Sequence, residues 1–256
     1  CMGCDCIKAE KHQADIDQRI ELSSNTGVLV LCNMKLYDVP MEALDLNLAS
    51  MDLSGNKIRF LPQDWRNLVA LKKLFLSKNL LTEVPASMNT LANLEVLKLD
   101  HNRLKVLPNL FRLPMLKTLN VSYNLLEVLP NSLGTLPHLK ELAASSNLFK
   151  ELPGLVAESS TLESVDFTHN KLTVIRDNWR PKKLKLMNLS YNPLKTLPES
   201  LLGNSNVSRL ILENTGVLVE DARQIRGFEA YEKRHNARVD RAIGVNVTAN
   251  LGVFSC

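Results

Sequence analysis

Aromatic residues make up only 5% of this 256-residue chain, and no run of lysine and arginine is interleaved with them. Nucleic-acid readers combine a basic stripe with stacking platforms, so this composition argues against such a partner. The net charge of +4 is mild. No apolar run is long enough to span a membrane, and no leader with an apolar core is visible. A glycine-rich phosphate loop, a His-Glu-x-x-His helix and a Gly-x-Ser-x-Gly elbow are all missing, which removes the most recognisable settings for phosphate, zinc and acyl chemistry. Cysteine occurs only at Cys1, Cys4, Cys6, Cys32 and Cys256, and Cys256 is the last residue, so there is no prenylation box. These absences predict a protein that is not an enzyme and that uses no cofactor, metal or small-molecule substrate.

What is present is one phrase, many times over. Leu116-Lys-Thr-Leu-Asn-Val-Ser-Tyr-Asn-Leu-Leu126 reads L-x-x-L-x-L-x-x-N-x-L, and its asparagine recurs at Asn56, Asn79, Asn102, Asn124, Asn147, Asn170 and Asn192. The spacing is 22 or 23 residues every time. A fixed period of this length marks an α/β leucine-rich repeat solenoid, a horseshoe with a short parallel β-sheet on its concave face. The alternation Leu74, Phe75, Leu76 has the two-residue period of a strand, with the leucines inward and Phe75 on the opposite face. One repeat has no inside of its own, so each buried leucine depends on the neighbouring slice. The repeated asparagine predicts a buried amide ladder, because its side chain both donates and accepts. Most repeats continue into Leu-Pro or Val-Pro, as at Leu61-Pro62 and Leu129-Pro130, which suits a turn onto the convex side. Ile175-Arg176 breaks that habit and predicts a distorted segment around Trp179-Arg180-Pro181.

The ends differ from the middle. The sequence predicts four regions: residues 1–24 as an N-terminal tail with a short helix over Lys8–Leu22, 25–219 as the repeat domain, 220–243 as one capping helix, and 244–256 as a disordered tail. Met34 and Thr215 stand where the asparagine belongs, as expected of terminal repeats. Ile225, Phe228 and Tyr231 lie at helical spacing and are expected to cover the last repeat and its strand edge. If Met2 is the initiator, Gly3 becomes an acceptor for myristate, with Cys4 and Cys6 placed for palmitate. A single myristoyl chain binds membranes only marginally, so the second anchor makes chemical sense. A zinc site from Cys1, Cys4, Cys6 and His12, and an inert tail, are the other readings of this stretch. No cysteine cluster flanks the repeats, which favours a reducing compartment and cytoplasmic residence. The four N-x-S/T sequons, at Asn120, Asn188, Asn206 and Asn246, are read as unmodified.

On the concave face the repeat sets no core requirement, so large side chains there are free choices. Phe75, Lys78, Lys98, His101 and Tyr123 form an early patch, and His169, Tyr191 and Ile211 a late one, with Ala143, Ser145 and Ser146 between them. Aromatics flanked by charge have the composition of binding hot spots. His101 and His169 sit three repeats apart, too far to share a metal. Lys72, Lys117, Lys140 and Lys185 share one position at the strand entrance, interrupted by Glu95 and Glu163, which argues against a continuous polyanion track.

The 23-residue phrase with Leu-Pro after it resembles the intracellular repeats of the Ras-suppressor and plant intracellular Ras-group type. Met2-Gly3-Cys4, the entry Thr26-Gly-Val-Leu-Val-Leu31, and Arg226-Gly-Phe-Glu-Ala-Tyr-Glu-Lys-Arg234 resemble the family of leucine-rich repeat-containing protein 57 with its plant and algal members. That resemblance implies a cytosolic or membrane-peripheral interaction module without catalysis. The expected function is a scaffold or adaptor for a protein partner of unknown identity. A regulatory subunit of a phosphatase or small-GTPase complex, and a structural part of a ciliary or cytoskeletal assembly, are the alternatives.

Overall fold

The computed structural model describes the backbone of residues 2–108, 113–177 and 181–244, and within these the side chains from residue 10 to residue 240. Nine three-residue strands form one parallel sheet in strict chain order. They are β1 (Val28–Val30), β2 (Ser50–Asp52), β3 (Lys73–Phe75), β4 (Val96–Lys98), β5 (Thr118–Asn120), β6 (Glu141–Ala143), β7 (Ser164–Asp166), β8 (Leu186–Asn188) and β9 (Arg209–Ile211). Their central residues line up without a stagger. Leu29, Met51, Leu74, Leu97, Leu119, Leu142, Val165, Met187 and Leu210 form a single inward column. Every member is at most 1% exposed. Burying one such side chain is worth roughly 1.5–3 kcal/mol, and here the covering surface comes from the slices on either side.

The asparagine ladder forms as its chemistry requires. Asn79 Oδ1 accepts the Ile58 N–H at 3.1 Å, while its Nδ2 donates to Leu53 O at 3.0 Å and Leu76 O at 3.1 Å. Asn124 repeats the pattern with Leu104 N–H, Leu99 O and Val121 O. Each amide thus ties its own turn to the preceding repeat. At the C-terminal end Thr215 Oγ1 stays within its own turn, donating to Leu212 O at 2.9 Å and accepting the Val217 N–H at 3.4 Å.

The convex side is built from short 3-10 turns after the prolines, at Met41–Asp45, Ala86–Thr90 and Asn131–Thr135. Two single-turn helices take the same place later, α2 (Gly154–Glu158) and α3 (Glu199–Gly203). Residues 178–180, where a distorted segment was expected, lie outside the described residues, as do residues 245–256 of the tail expected over 244–256, whose first residue, Gly244, is helical.

Both ends are closed by helices. The N-terminal helix α1 (Met2–Thr26) is longer than the short helix expected over Lys8–Leu22. It is also no loose tail, because it packs on β1. Ile16 is 3% exposed, and His12 Nε2 donates to Met34 O at 2.7 Å. At the other end the expected single helix over 220–243 is two, α4 (Val219–Gln224) and α5 (Phe228–Gly244). The break is at Gly227, whose φ of +97° is a region side chains rarely enter. A Cβ there would stand 2.6 Å from the Gly203 backbone, so the close approach of α3 and α5 also requires glycine. Phe228 and Tyr231 are buried and Ile225 partly so, as expected of the cap. Tyr231 Oη accepts the Leu210 N–H at 3.3 Å, and His235 Nδ1 donates to Ser208 O at 3.0 Å. Two groups of the exposed edge strand are thereby satisfied.

Candidate interaction surface

The concave face is made of two columns. The first holds the last residue of each strand from β2 to β9: Asp52, Phe75, Lys98, Asn120, Ala143, Asp166, Asn188 and Ile211. The second lies three residues on, just before each ladder asparagine or, at the end, Thr215, and carries Gly55, Lys78, His101, Tyr123, Ser146, His169, Tyr191 and Asn214. Every residue of this second column is left-handed, with φ between +51° and +70°. Sequence reasoning treated these positions as unconstrained, and the backbone corrects that. In every repeat but the last, the N–H continues the parallel ladder past the strand, as Tyr123 N–H does to Ser145 O at 2.8 Å and Tyr191 N–H to Glu213 O at 2.7 Å. Reaching that carbonyl requires the left-handed turn, which disfavours side chains other than asparagine and glycine by roughly 1–2 kcal/mol.

Two ring pairs stand on this strained rim. His101 stacks on Tyr123 with centroids 4.1 Å apart and planes 14° apart. His169 stacks on Tyr191 at 4.1 Å and 15°. Tyr123 is 51% exposed and Tyr191 44%. Within the early patch Lys98 Nζ lies 5.5 Å from the Phe75 ring centre, a cation–π contact. Lys78 is exposed beside them, and Ile211 faces Asn188 across the β8–β9 pairing.

Sequence reasoning missed the residue that holds the early patch together. Asp100 Oδ1 accepts from Ser77 Oγ at 2.7 Å and Asn120 Nδ2 at 3.1 Å, and its Oδ2 accepts from His101 Nδ1 at 3.1 Å. It spans three repeats. A signal was available, because the same position holds Ser54, Ser77, Ser122, Ser145, Thr168 and Ser190 elsewhere, and Asp100 breaks that hydroxyl column. The two acids in the lysine line are each paired, Glu95 with Lys117 at 2.7 Å and Glu163 with Lys140 at 3.3 Å. The Lys117 ammonium holds the Glu95 carboxyl below its usual range. Among the described residues no cluster of three or more His, Cys, Asp or Glu side chains could hold a metal ion, and no helix is long and apolar enough to cross a membrane.

Known proteins share this architecture. The rice plant intracellular Ras-group-related LRR protein 7 (Oryza sativa subsp. japonica) is 33% identical over 94 residues, 36% of this chain and 35% of that protein. A leucine-rich repeat protein of Leptospira interrogans superposes with a TM-score of 0.60 at 28% identity, covering 79% of this chain and 58% of the other. Internalin C2 of Listeria monocytogenes superposes with a TM-score of 0.66 over 77% of this chain and 92% of that one. At 20% identity it speaks for the fold alone. The chain thus spans about a third of the rice protein and a little over half of the Leptospira chain. The leucine rich repeat model matches residues 24–81, 46–104, 92–149 and 160–217. With that coverage, and with its single inward column and its amide ladder, the chain belongs to the leucine-rich repeat family, whose domains typically serve protein–protein interaction.

Proposed function

We propose that this chain is a non-catalytic scaffold that holds a protein partner against its concave face. Phe75, Lys78, Lys98, His101 and Tyr123 are one anchor and His169, Tyr191 and Ile211 the other. One observation carries the reading: His and Tyr occupy left-handed rim positions where asparagine or glycine would fold with less strain. They stand there as half-exposed stacked pairs that the core does not use. Large amphipathic rings on a rigid sheet lose little entropy on binding and make effective hot spots.

Proximity labelling in cells, with Phe75→Ala/Tyr123→Ala beside the wild type, tests it. The expected result is loss of a defined set of neighbours at unchanged expression and melting temperature. An unaltered set removes the concave face from the account.

The proposal includes a tether to the inner face of a membrane through acylation of Gly3 and of Cys4 or Cys6, a reading that rests on the sequence motif. Palmitate labelling with fractionation should find the protein on membranes and Gly3→Ala in the soluble fraction. Identical partitioning of the two eliminates the tether.

A further inference from the structure

The C-terminal cap creates a second feature, away from the concave rings. Where α5 crosses the entrances of β8 and β9 it leaves a cleft of about 960 Å³, the size of many small-ligand sites. Its walls carry Lys182, Lys183, Lys185, Arg209, Lys233 and Arg238. The chain gathers them from three places: the approach to β8, the first residue of β9, and one face of α5.

Among the described residues these charges are not neutralised locally. Glu163 is the one acidic side chain among the described residues of the walls, and it is paired with Lys140 outside them. None of the six cations forms an ion pair among the described residues. Residues 245–256 contain no aspartate or glutamate. A further cation stands at the back of the cleft. Arg234 donates through Nε to Val207 O at 3.1 Å and through Nη2 to Leu202 O, so it is fixed by carbonyls rather than by a carboxylate. Burial lowers its pKa. The Nε of Arg238 is shielded from solvent with no hydrogen-bond partner. A shielded donor without a partner, set among like charges, is suited to hydrogen-bond an anionic oxygen.

The walls also narrow the chemistry. Among the described residues no aromatic side chain lines the cleft, and none of them offers a stacking platform for a nucleobase. The β9 edge is occupied by Tyr231 and His235, so an acidic peptide has no free strand to pair with. Lysine point charges and guanidinium forks converging on a small volume suit a compact anion bearing several phosphates. We propose that this cleft binds a multiply phosphorylated small polyanion, either free in solution or as the headgroup of a lipid.

Calorimetric titration of the full chain with inositol hexakisphosphate at physiological salt is the test, with sedimentation on vesicles containing phosphatidylinositol bisphosphate or charge-matched phosphatidylserine. Saturable binding of one hexakisphosphate per chain is expected. Lys182→Glu/Lys183→Glu, at two exposed positions, should weaken it by at least about tenfold. Lys233→Glu should act in the same direction from the helix side, while Lys72→Glu/Lys73→Glu, remote from the cleft, should leave it unchanged. Sedimentation that follows the bisphosphate beyond charge-matched serine lipid assigns the lipid source, and equal sedimentation with tight hexakisphosphate binding assigns the soluble one. Absence of saturable binding overturns the proposal. So does an equal loss in the remote variant, or tighter binding of a single-stranded RNA oligonucleotide that displaces the hexakisphosphate.

Discussion

The two ring pairs on the concave rim are built from nearly the same words and differ in what lies behind them. Asn120-Val-Ser-Tyr-Asn124 and Asn188-Leu-Ser-Tyr-Asn192 place Tyr123 and Tyr191 identically, and each tyrosine meets a histidine from the repeat before. In the early pair the residue preceding the histidine is Asp100, whose carboxylate gathers Ser77, Asn120 and His101. In the late pair that residue is Thr168. It turns its hydroxyl to Asp166 instead, leaving His169 held by its stack. Stacking geometry is therefore set by the repeat, through the left-handed backbone, whereas anchoring is set by one substitution in the hydroxyl column. The early pair is a braced contact and the late pair an adaptable one.

The most damaging test of that contrast is removal of the brace. Asp100→Ala should lower stability by about 2–3 kcal/mol, since it strands the donors of Ser77 and Asn120. Urea denaturation should show this, together with loss of early-patch neighbours in the labelling experiment. Thr168→Ala should cost under about 1 kcal/mol, and equal losses from the two would break the comparison. Next in size come Tyr123→Ala and Tyr191→Ala. Each should reduce affinity for a captured partner by about 2 kcal/mol if its patch is a hot spot, read by surface plasmon resonance. A loss from Tyr123→Ala alone would assign the energy to the braced pair.

An alkaline titration separates the patches differently, because the late one adjoins the cap. Burial pushes the Tyr231 phenol above its ordinary value of 10.0, outweighing the Leu210 N–H that its oxygen accepts. A group whose folded pKa is raised adds stability that is complete below the unfolded pKa and disappears as pH climbs through the folded one. The urea midpoint should therefore fall above pH 10, and Tyr231→Phe should lack that component of the fall. The smallest effect is expected at Lys78. Lys78→Asn removes left-handed strain and should raise stability by about 0.5–1 kcal/mol while weakening an early-patch partner. A stability decrease would mean the lysine stem packs more usefully than its exposure suggests.

The fold was legible because period and chemistry agree. The spacing of Asn56 to Asn192 carries the slices, the leucine triplets carry the column, and an amide with both donor and acceptor implies the ladder. The candidate rings were legible too, as residues the core does not use. What stayed hidden was conformational. Left-handed backbone is announced by glycine and asparagine, and only Gly55 and Asn214 of that column speak so, while Lys78, His101, Tyr123, Ser146, His169 and Tyr191 conceal it. Asp100 was hidden because its three partners come from three repeats, a relation that register alone reveals. The split of the C-terminal cap followed from Gly227, whose meaning depends on Gly203 lying against it.

The unstaggered pairing of the nine strands makes the sheet a ruler. With rungs about 4.8 Å apart, His101 and His169 are held roughly 14 Å from each other by backbone alone, whatever the side chains between them. Deleting or duplicating a whole slice in the gap would change that distance by one rung and leave both pairs intact. Selection, or an engineer, can therefore tune the distance between the two ring pairs without rebuilding either.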